Sequence, residues 1–204
     1  MNRFLFFICF TTLIAMVSCS GNESPTVNTN TDSTKKLTEE EVISETTPPF
    51  SLINRVSKNT YAKDSIQVES YTFENFEPFL HQEDDYTYVI NFWATWCVPC
   101  VKELPNFEKL RENYAGKNVH VLLVSIDFAK AVETSLIPFL EREKLQSEVV
   151  LLDDPDANAW IPKVDESWSG AIPATIIYNK NKRAFFEQSF TYEELETELL
   201  KFLN

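Results

Sequence analysis

Cys97 and Cys100 are separated by only Val98 and Pro99, inside the stretch FWATWCVPC over residues 92–100. The run TYVINFWA from Thr87 to Ala94 precedes them, a continuous β-branched and aromatic run broken by Asn91, as in a strand buried on both faces. Pro99 to Asn113 follows as a helix, with Val101, Leu104, Phe107 and Leu110 on one face. Cys97 therefore falls at a helix N-terminus, where unpaired backbone N–H groups favour negative charge and lower a thiol pKa. Two intervening residues bring the second sulfur within bridging reach on the first turn. Pro99 sits early in the helix, where its missing N–H costs little. The chemistry expected is thiol–disulfide exchange: Cys97 attacks a partner disulfide and Cys100 resolves the mixed disulfide.

The elements that must position this pair can be read coarsely. Ser65–Tyr71 is expected as a strand and Thr72–His81 as a helix, with Phe73, Phe76, Phe79 and Leu80 at helical spacing. Val119–Ile126 is a second buried strand. Glu133–Lys144 is helical with a kink or break at Pro138. Val149–Leu152 is a short strand. Thr175–Tyr178 and Ala184–Glu187 form a hairpin around Asn179–Lys182, and Tyr192–Leu203 is a closing amphipathic helix. Alternating strands and helices, then a hairpin and a helix, imply an α/β fold whose central mixed sheet is flanked by helices on both faces. The early strands should be parallel and the final hairpin antiparallel.

The chain has 204 residues, and its 16 Phe, 7 Tyr and 4 Trp can fill a sizeable core. A formal net charge of −13 argues against nucleic acid and against electrostatic docking on anionic lipid. Residues 4–17 form an apolar run of signal-peptide length after Arg3. Met16–Val17–Ser18–Cys19 ends it and resembles a bacterial lipobox, with Met16 where Leu is usual. The expectation is a signal peptide over 1–18 and lipidation of Cys19, placing the protein on the periplasmic side of the cell envelope. Residues 19–49 are polar and, until Phe50, free of aromatics, so they read as a flexible tether. Residues 50–204 read as the folded domain, and the protein is expected to be a monomer.

The motif resembles the thioredoxin-like superfamily and, within it, the envelope thiol–disulfide oxidoreductases related to TlpA and ResA. FWATWCVPC matches that branch's active-site signature. Pro105 matches its kinked helix, and Gly170–Ala171–Ile172–Pro173–Ala174–Thr175 matches its cis-proline loop. The resemblance implies a protein-disulfide reductase without a cofactor. Its partners would be disulfide-containing envelope proteins and an upstream thiol electron donor, and cytochrome c maturation is a frequent task of the branch. It also implies that the Ile172–Pro173 bond is cis and that Ile172 and Pro173, with Trp96, Val98 and Pro99, meet the substrate. Glu103, three residues after Cys100, would shuttle the resolving thiol's proton. Its plainer alternative is a solvated helix residue. Asn91 stands where classical thioredoxins carry Asp and cannot exchange a proton. Asp127, after the strand ending at Ile126, reads as a loop residue.

Rival readings are weaker. Cys-x-x-Cys can be half a metal site, but the chain's only histidines are His81 and His120, so no metal is expected. Peroxidases of this superfamily need Thr or Ser three residues before the reactive Cys, where this chain has Ala94. A thiol oxidase or isomerase shares the motif, although Val98–Pro99 lacks the His of strong oxidants. A non-catalytic interaction module would not need both cysteines.

Overall fold

The computed structural model describes residues 48–203 except Leu52. The expected signal peptide, Cys19 and the tether up to residue 47 lie outside the described residues. Within them the chain runs β1 (Asn59–Lys63), β2 (Ile66–Tyr71), α1 (Phe73–Phe76), β3 (Thr87–Trp93), α2 (Val98–Asn113) and β4 (Val119–Ser125). It continues through α3 (Ile137–Glu143), β5 (Glu148–Leu152), α4 (Ala157–Val164), β6 (Ala174–Asn179), β7 (Lys182–Phe186) and α5 (Tyr192–Leu200).

The strands form one mixed sheet in the order β1-β2-β5-β4-β3-β6-β7. β2, β5, β4 and β3 run parallel, and β6 turns back against β3 and pairs antiparallel with β7. This is the mixed α/β sheet that the sequence implies. β3 is buried at every residue because it has a strand on each side and helices over each face. Alternation sends Val89 and Trp93 to the face covered by α2 and α5, with Leu104, Phe107, Leu195 and Leu199. Tyr88, Ile90 and Phe92 go to the other face, against Phe76, Phe79, Trp160 and Val164. Asn91 shares the face of Val89 and Trp93, so a polar side chain points at α2 from inside the sheet.

Several expectations shift locally. The helix expected over Thr72–His81 is α1 followed by a 3-10 turn, Glu77–Leu80, with Pro78 in its first turn. The kink expected at Pro138 is a π-turn, Val132–Leu136, leading into α3 with Pro138 near its start. A proline there has no N–H to give the preceding turn, which widens instead. α3 then ends at Lys144 in the left-handed conformation (φ 54°), a place usually taken by glycine. The hairpin turns at Lys180–Asn181, where Asn179 Oδ1 accepts the Asn181 and Lys182 amides at 2.9 and 3.0 Å. β1 and α4 were not expected. β1 is an edge strand with only Tyr61 of its residues half-buried, so it carries no apolar alternation. α4 contains Pro162, which argues against a helix, yet Trp160 and Val164 are buried and Asp156 caps it.

Phe79 is fully buried, with ring centroids 4.8 Å from Phe50, 5.2 Å from Tyr71 and 5.4 Å from Phe76. Phe79→Ala should lower unfolding stability by about 3–5 kcal/mol. Urea titration will show this as a lower midpoint with an unchanged slope.

Candidate redox-active site

β3 ends at Trp93, and the backbone closes a turn in which the Cys97 amide donates to the Ala94 carbonyl at 3.1 Å. α2 starts directly after, with Cys97 as its N-cap residue. The Cys97 sulfur takes the place of a capping oxygen: it accepts the Cys100 backbone N–H at 3.3 Å. Cys97 and Cys100 are joined as a disulfide, with their Cα atoms 5.3 Å apart. Cys97 is 6% exposed and Cys100 is 0% exposed, so an outside partner can reach only the first sulfur. The Cys97 sulfur lies 3.7 Å from the carbonyl oxygen of Ile172, and the Ile172–Pro173 peptide is cis.

Glu103 is buried, which rules out the solvated alternative. It is one helical turn past Cys100 on α2, the i,i+3 spacing that puts two side chains side by side. Its carboxyl accepts the Phe190 amide at 2.8 Å and the Asn91 side-chain amide at 3.0 Å. Asn91 also donates to Thr175 Oγ1 at 3.1 Å, its register partner on β6. Burial raises the Glu103 pKa to about 7, against the opposing pull of the bonds from Phe190 and Asn91. Such a group is half-protonated at neutral pH and can take up or give back a proton.

Two loops close around the pair. Asp127, buried after β4, accepts the Thr95 amide at 3.0 Å and the Thr95 hydroxyl at 2.6 Å. The cis-proline loop is pinned by the Trp168 indole N–H, which donates to the Ala171 carbonyl at 2.8 Å. Glu187 accepts the Ser169 and Ala171 amides, each at 3.1 Å, and the Ser169 hydroxyl; these bonds, the hydroxyl's first, hold its carboxyl below the usual range. Gly170 makes the bend at φ +92°, and a Cβ there would meet Ile161 Cδ1 at 3.0 Å.

The residues singled out from sequence fall in two groups. Cys97, Cys100, Glu103, Ile172 and Pro173 come together, with Pro99 in the first turn of α2. Trp96 is 57% exposed and Val98 63% exposed, so they form the outer rim. Trp93 and Trp168 are core residues, packed on Phe139 and Phe92. His120 is engaged elsewhere, hydrogen-bonded to Glu148 at 2.9 Å. Asp127, read from sequence as a loop residue, is instead a buried acceptor beside the pair, and Thr175, Glu187 and Phe190 escaped the sequence reading. Asp127 carried a signal, since it follows the C-terminal end of a central parallel strand. The other three are brought in only by tertiary pairing.

A cysteine pair capping a helix at the C-terminal end of an interior strand of a mixed sheet, facing a cis-proline loop, defines a thioredoxin-like protein. The model of the AhpC/TSA family matches residues 69–183, and the chain belongs to that family. The thiol–disulfide oxidoreductase ResA of Geobacillus kaustophilus is 30% identical over 113 residues, 54% of this chain and 59% of that protein. The thioredoxin-like protein YneN of Bacillus subtilis is 38% identical over 71 residues, 35% of this chain and 41% of that protein. The chain thus spans about half the length of these curated relatives. A secreted thiol-disulfide isomerase from Corynebacterium glutamicum shares the fold, with 20% identity and a TM-score of 0.51 over 74% of this chain and 84% of its own.

A carboxyl whose pKa is raised by folding binds its proton more tightly in the native state. Below pH 4.5, where both states are protonated, Glu103 has no pH-dependent cost. As pH rises toward about 7 the unfolded chain ionises first, and stability falls by roughly 3 kcal/mol. Glu103→Gln should therefore gain stability relative to the parent across that window and hold a constant difference above it. Chemical unfolding at a series of pH values checks this; parallel curves for the two proteins would contradict it.

Proposed function

We propose that the chain is a protein-disulfide reductase acting through Cys97 and Cys100. The observation that carries this reading is a cysteine pair with one reachable sulfur, set at a helix N-terminus beside a buried acid. In the reduced protein the Cys97 thiolate attacks a client disulfide. One client sulfur leaves as a thiolate and takes a proton from water, and the other stays bonded to Cys97. Glu103, ionised, accepts the Cys100 proton. The Cys100 thiolate then attacks Cys97 Sγ and expels the second client sulfur, which regains a proton. Two electrons have passed from the pair to the client, and an upstream dithiol donor must return them.

Trp96, Val98 and Pro99 would line the approach on one side and Ile172 with Pro173 on the other. The Ile172 backbone offers an extended client segment a strand-like partner. Val98–Pro99 has no side chain that would stabilise a thiolate further, which favours a reducing pair. Ala94, three residues before Cys97, lacks the hydroxyl that a peroxidase reading needs. Apocytochrome c, whose paired haem-binding thiols must be reduced, is a client that fits this chemistry.

With a reduced dithiol donor and a disulfide-bonded peptide, the parent protein should turn over. Cys97→Ser should abolish turnover, and Cys100→Ser should accumulate a mixed disulfide with the peptide, read by intact mass. Turnover surviving in Cys97→Ser would refute the mechanism. A potential near −120 mV, that of DsbA, would instead mark an oxidase.

The polar stretch over 19–49 and the lipobox-like residues before Cys19 support a lipid-anchored envelope protein facing the periplasm. No helix among the described residues is long and apolar enough to cross a membrane. Cys19→Ser should move the protein from the membrane fraction to the soluble fraction; unchanged membrane recovery would argue for another mode of attachment.

A further inference from the structure

Asp127 has no part in the exchange steps above, yet it is buried two residues beyond the end of β4. Its carboxylate accepts three hydrogen bonds and donates none. Oδ2 takes the Thr95 amide at 3.0 Å and the Ser125 hydroxyl at 2.9 Å, and Oδ1 takes the Thr95 hydroxyl at 2.6 Å. Thr95 is the second residue of the turn that Cys97 closes onto Ala94. The Cys97 amide's bond to the Ala94 carbonyl folds the chain back beside Thr95, so the carboxylate lies within roughly 12 Å of the Cys97 sulfur. The register keeps it there: Trp93 pairs with Ser125, and the Ile126 amide donates to the Trp93 carbonyl at 2.9 Å.

We propose that Asp127 is a positioning residue for the dithiol, clamping the turn that presents Cys97 and setting a fixed negative charge beside it that keeps the pair reducing. The inference rests on the dithiol reading. The logic is electrostatic. The N-terminus of α2 favours a thiolate at Cys97. A buried anion on the protein side, where salt screens it little, opposes it. Whatever destabilises the thiolate favours the disulfide at equilibrium, and a pair that prefers the disulfide is a better electron donor. The other charged or titratable groups near Cys97 are Cys100, Lys102 and Glu103 on α2, and Glu187 on the Ser169 and Ala171 amides of the cis-proline loop. Lys130, 5.8 Å over the Phe128 ring, is the cation on the loop after β4, and residues 171–173 bring none.

Asp127→Asn separates the charge from the clamp. The amide oxygen can still accept the Thr95 N–H, and the amide nitrogen can donate to the Thr95 hydroxyl once that rotates. In the reduced full-length protein the Cys97 thiol pKa should fall by about one unit in this variant, followed by the pH dependence of alkylation. The exchange equilibrium with glutathione should shift by up to about tenfold toward the dithiol, about 30 mV less reducing. Thr95→Val, which removes one clamp bond and keeps the charge, should leave the pKa far nearer the parent value. An Asp127→Asn protein that titrates like the parent, or whose Cys97 pKa rises, overturns the proposal.

A second measurement needs no variant. In the parent protein the Asp127 carboxyl carbon resonance should show a step at the Cys97 midpoint, because coupling between two charges is felt at both. A flat resonance through that midpoint overturns the proposal as well. Both tests read the protein's own thiol, without any client. An exchanging pair indifferent to Asp127 sinks this inference alone, whereas a pair that cannot exchange with glutathione at all sinks the reductase reading too.

Discussion

The site depends on the open N-terminus of α2. The first amides of a helix have no partner within it, and they point at whatever precedes the first turn. Here that is sulfur: the Cys100 amide goes to Cys97 Sγ, and the Val101 amide to the Cys97 carbonyl. What fixes the position of that N-terminus is β3, buried along its whole length and held between β4 and β6. The strand cannot slide without turning Tyr88, Ile90 and Phe92 out of one core and Val89 and Trp93 out of the other. From Ala94 to Glu103 the chain has a single cation, Lys102, so a thiolate at Cys97 is favoured by backbone geometry far more than by a paired side chain.

The same core imposes a cost. Glu103 sits under the sheet with Asn91, and Asn91 Oδ1 is buried without a partner among the described residues. Neither is what a packed interface between sheet and helix would choose for stability. The arrangement makes sense in terms of proton affinity. Two hydrogen bonds to the carboxyl favour its charged form, and burial disfavours it more strongly, so the two leave it near neutrality. An acid fully solvated on α2 would stay ionised and could not give its proton back. On the reading that Glu103 carries the resolving thiol's proton, local rules of packing are broken where a group of intermediate affinity is needed.

Much of this was legible in the sequence, and the reason is periodicity. Thr87–Ala94 is mostly β-branched and aromatic because β3 is covered on both faces, and the repeat along Val101, Leu104, Phe107 and Leu110 marks the α2 face. Cys-x-x-Cys falls where those two patterns meet, so the site could be placed before any coordinates. β1 and α4 could not. One is an exposed edge whose pattern is set by pairing with β2, and the other carries a proline that its cap and Trp160 outweigh. The supporting residues around the cysteines were hidden for a related reason. Thr175 meets Asn91 across 84 positions of sequence, and Phe190 meets Glu103 across 87. Such contacts have no local signature.

The difference in burial between the two sulfurs also dictates an order of events. A client disulfide can touch Cys97 at the rim made by Trp96 and Val98, but it cannot touch Cys100, which is wholly enclosed. On the reductase reading, Cys100 meets only one electrophile, the Cys97 sulfur, and meets it within a single helical turn. The resolving step is then intramolecular, with the geometric advantage that holding two reactants together confers. A client held at the rim has no comparable second nucleophile unless it carries one. The mixed disulfide therefore partitions toward release of reduced client, because the enclosed thiol is always at hand and the rim is open to exchange. A pair exposed at both sulfurs would lose that bias and scramble clients as readily as reduce them. On the reductase reading, the enclosure of Cys100, with Glu103 one helical turn away as the proposed proton acceptor, is what drives the mixed disulfide to resolution.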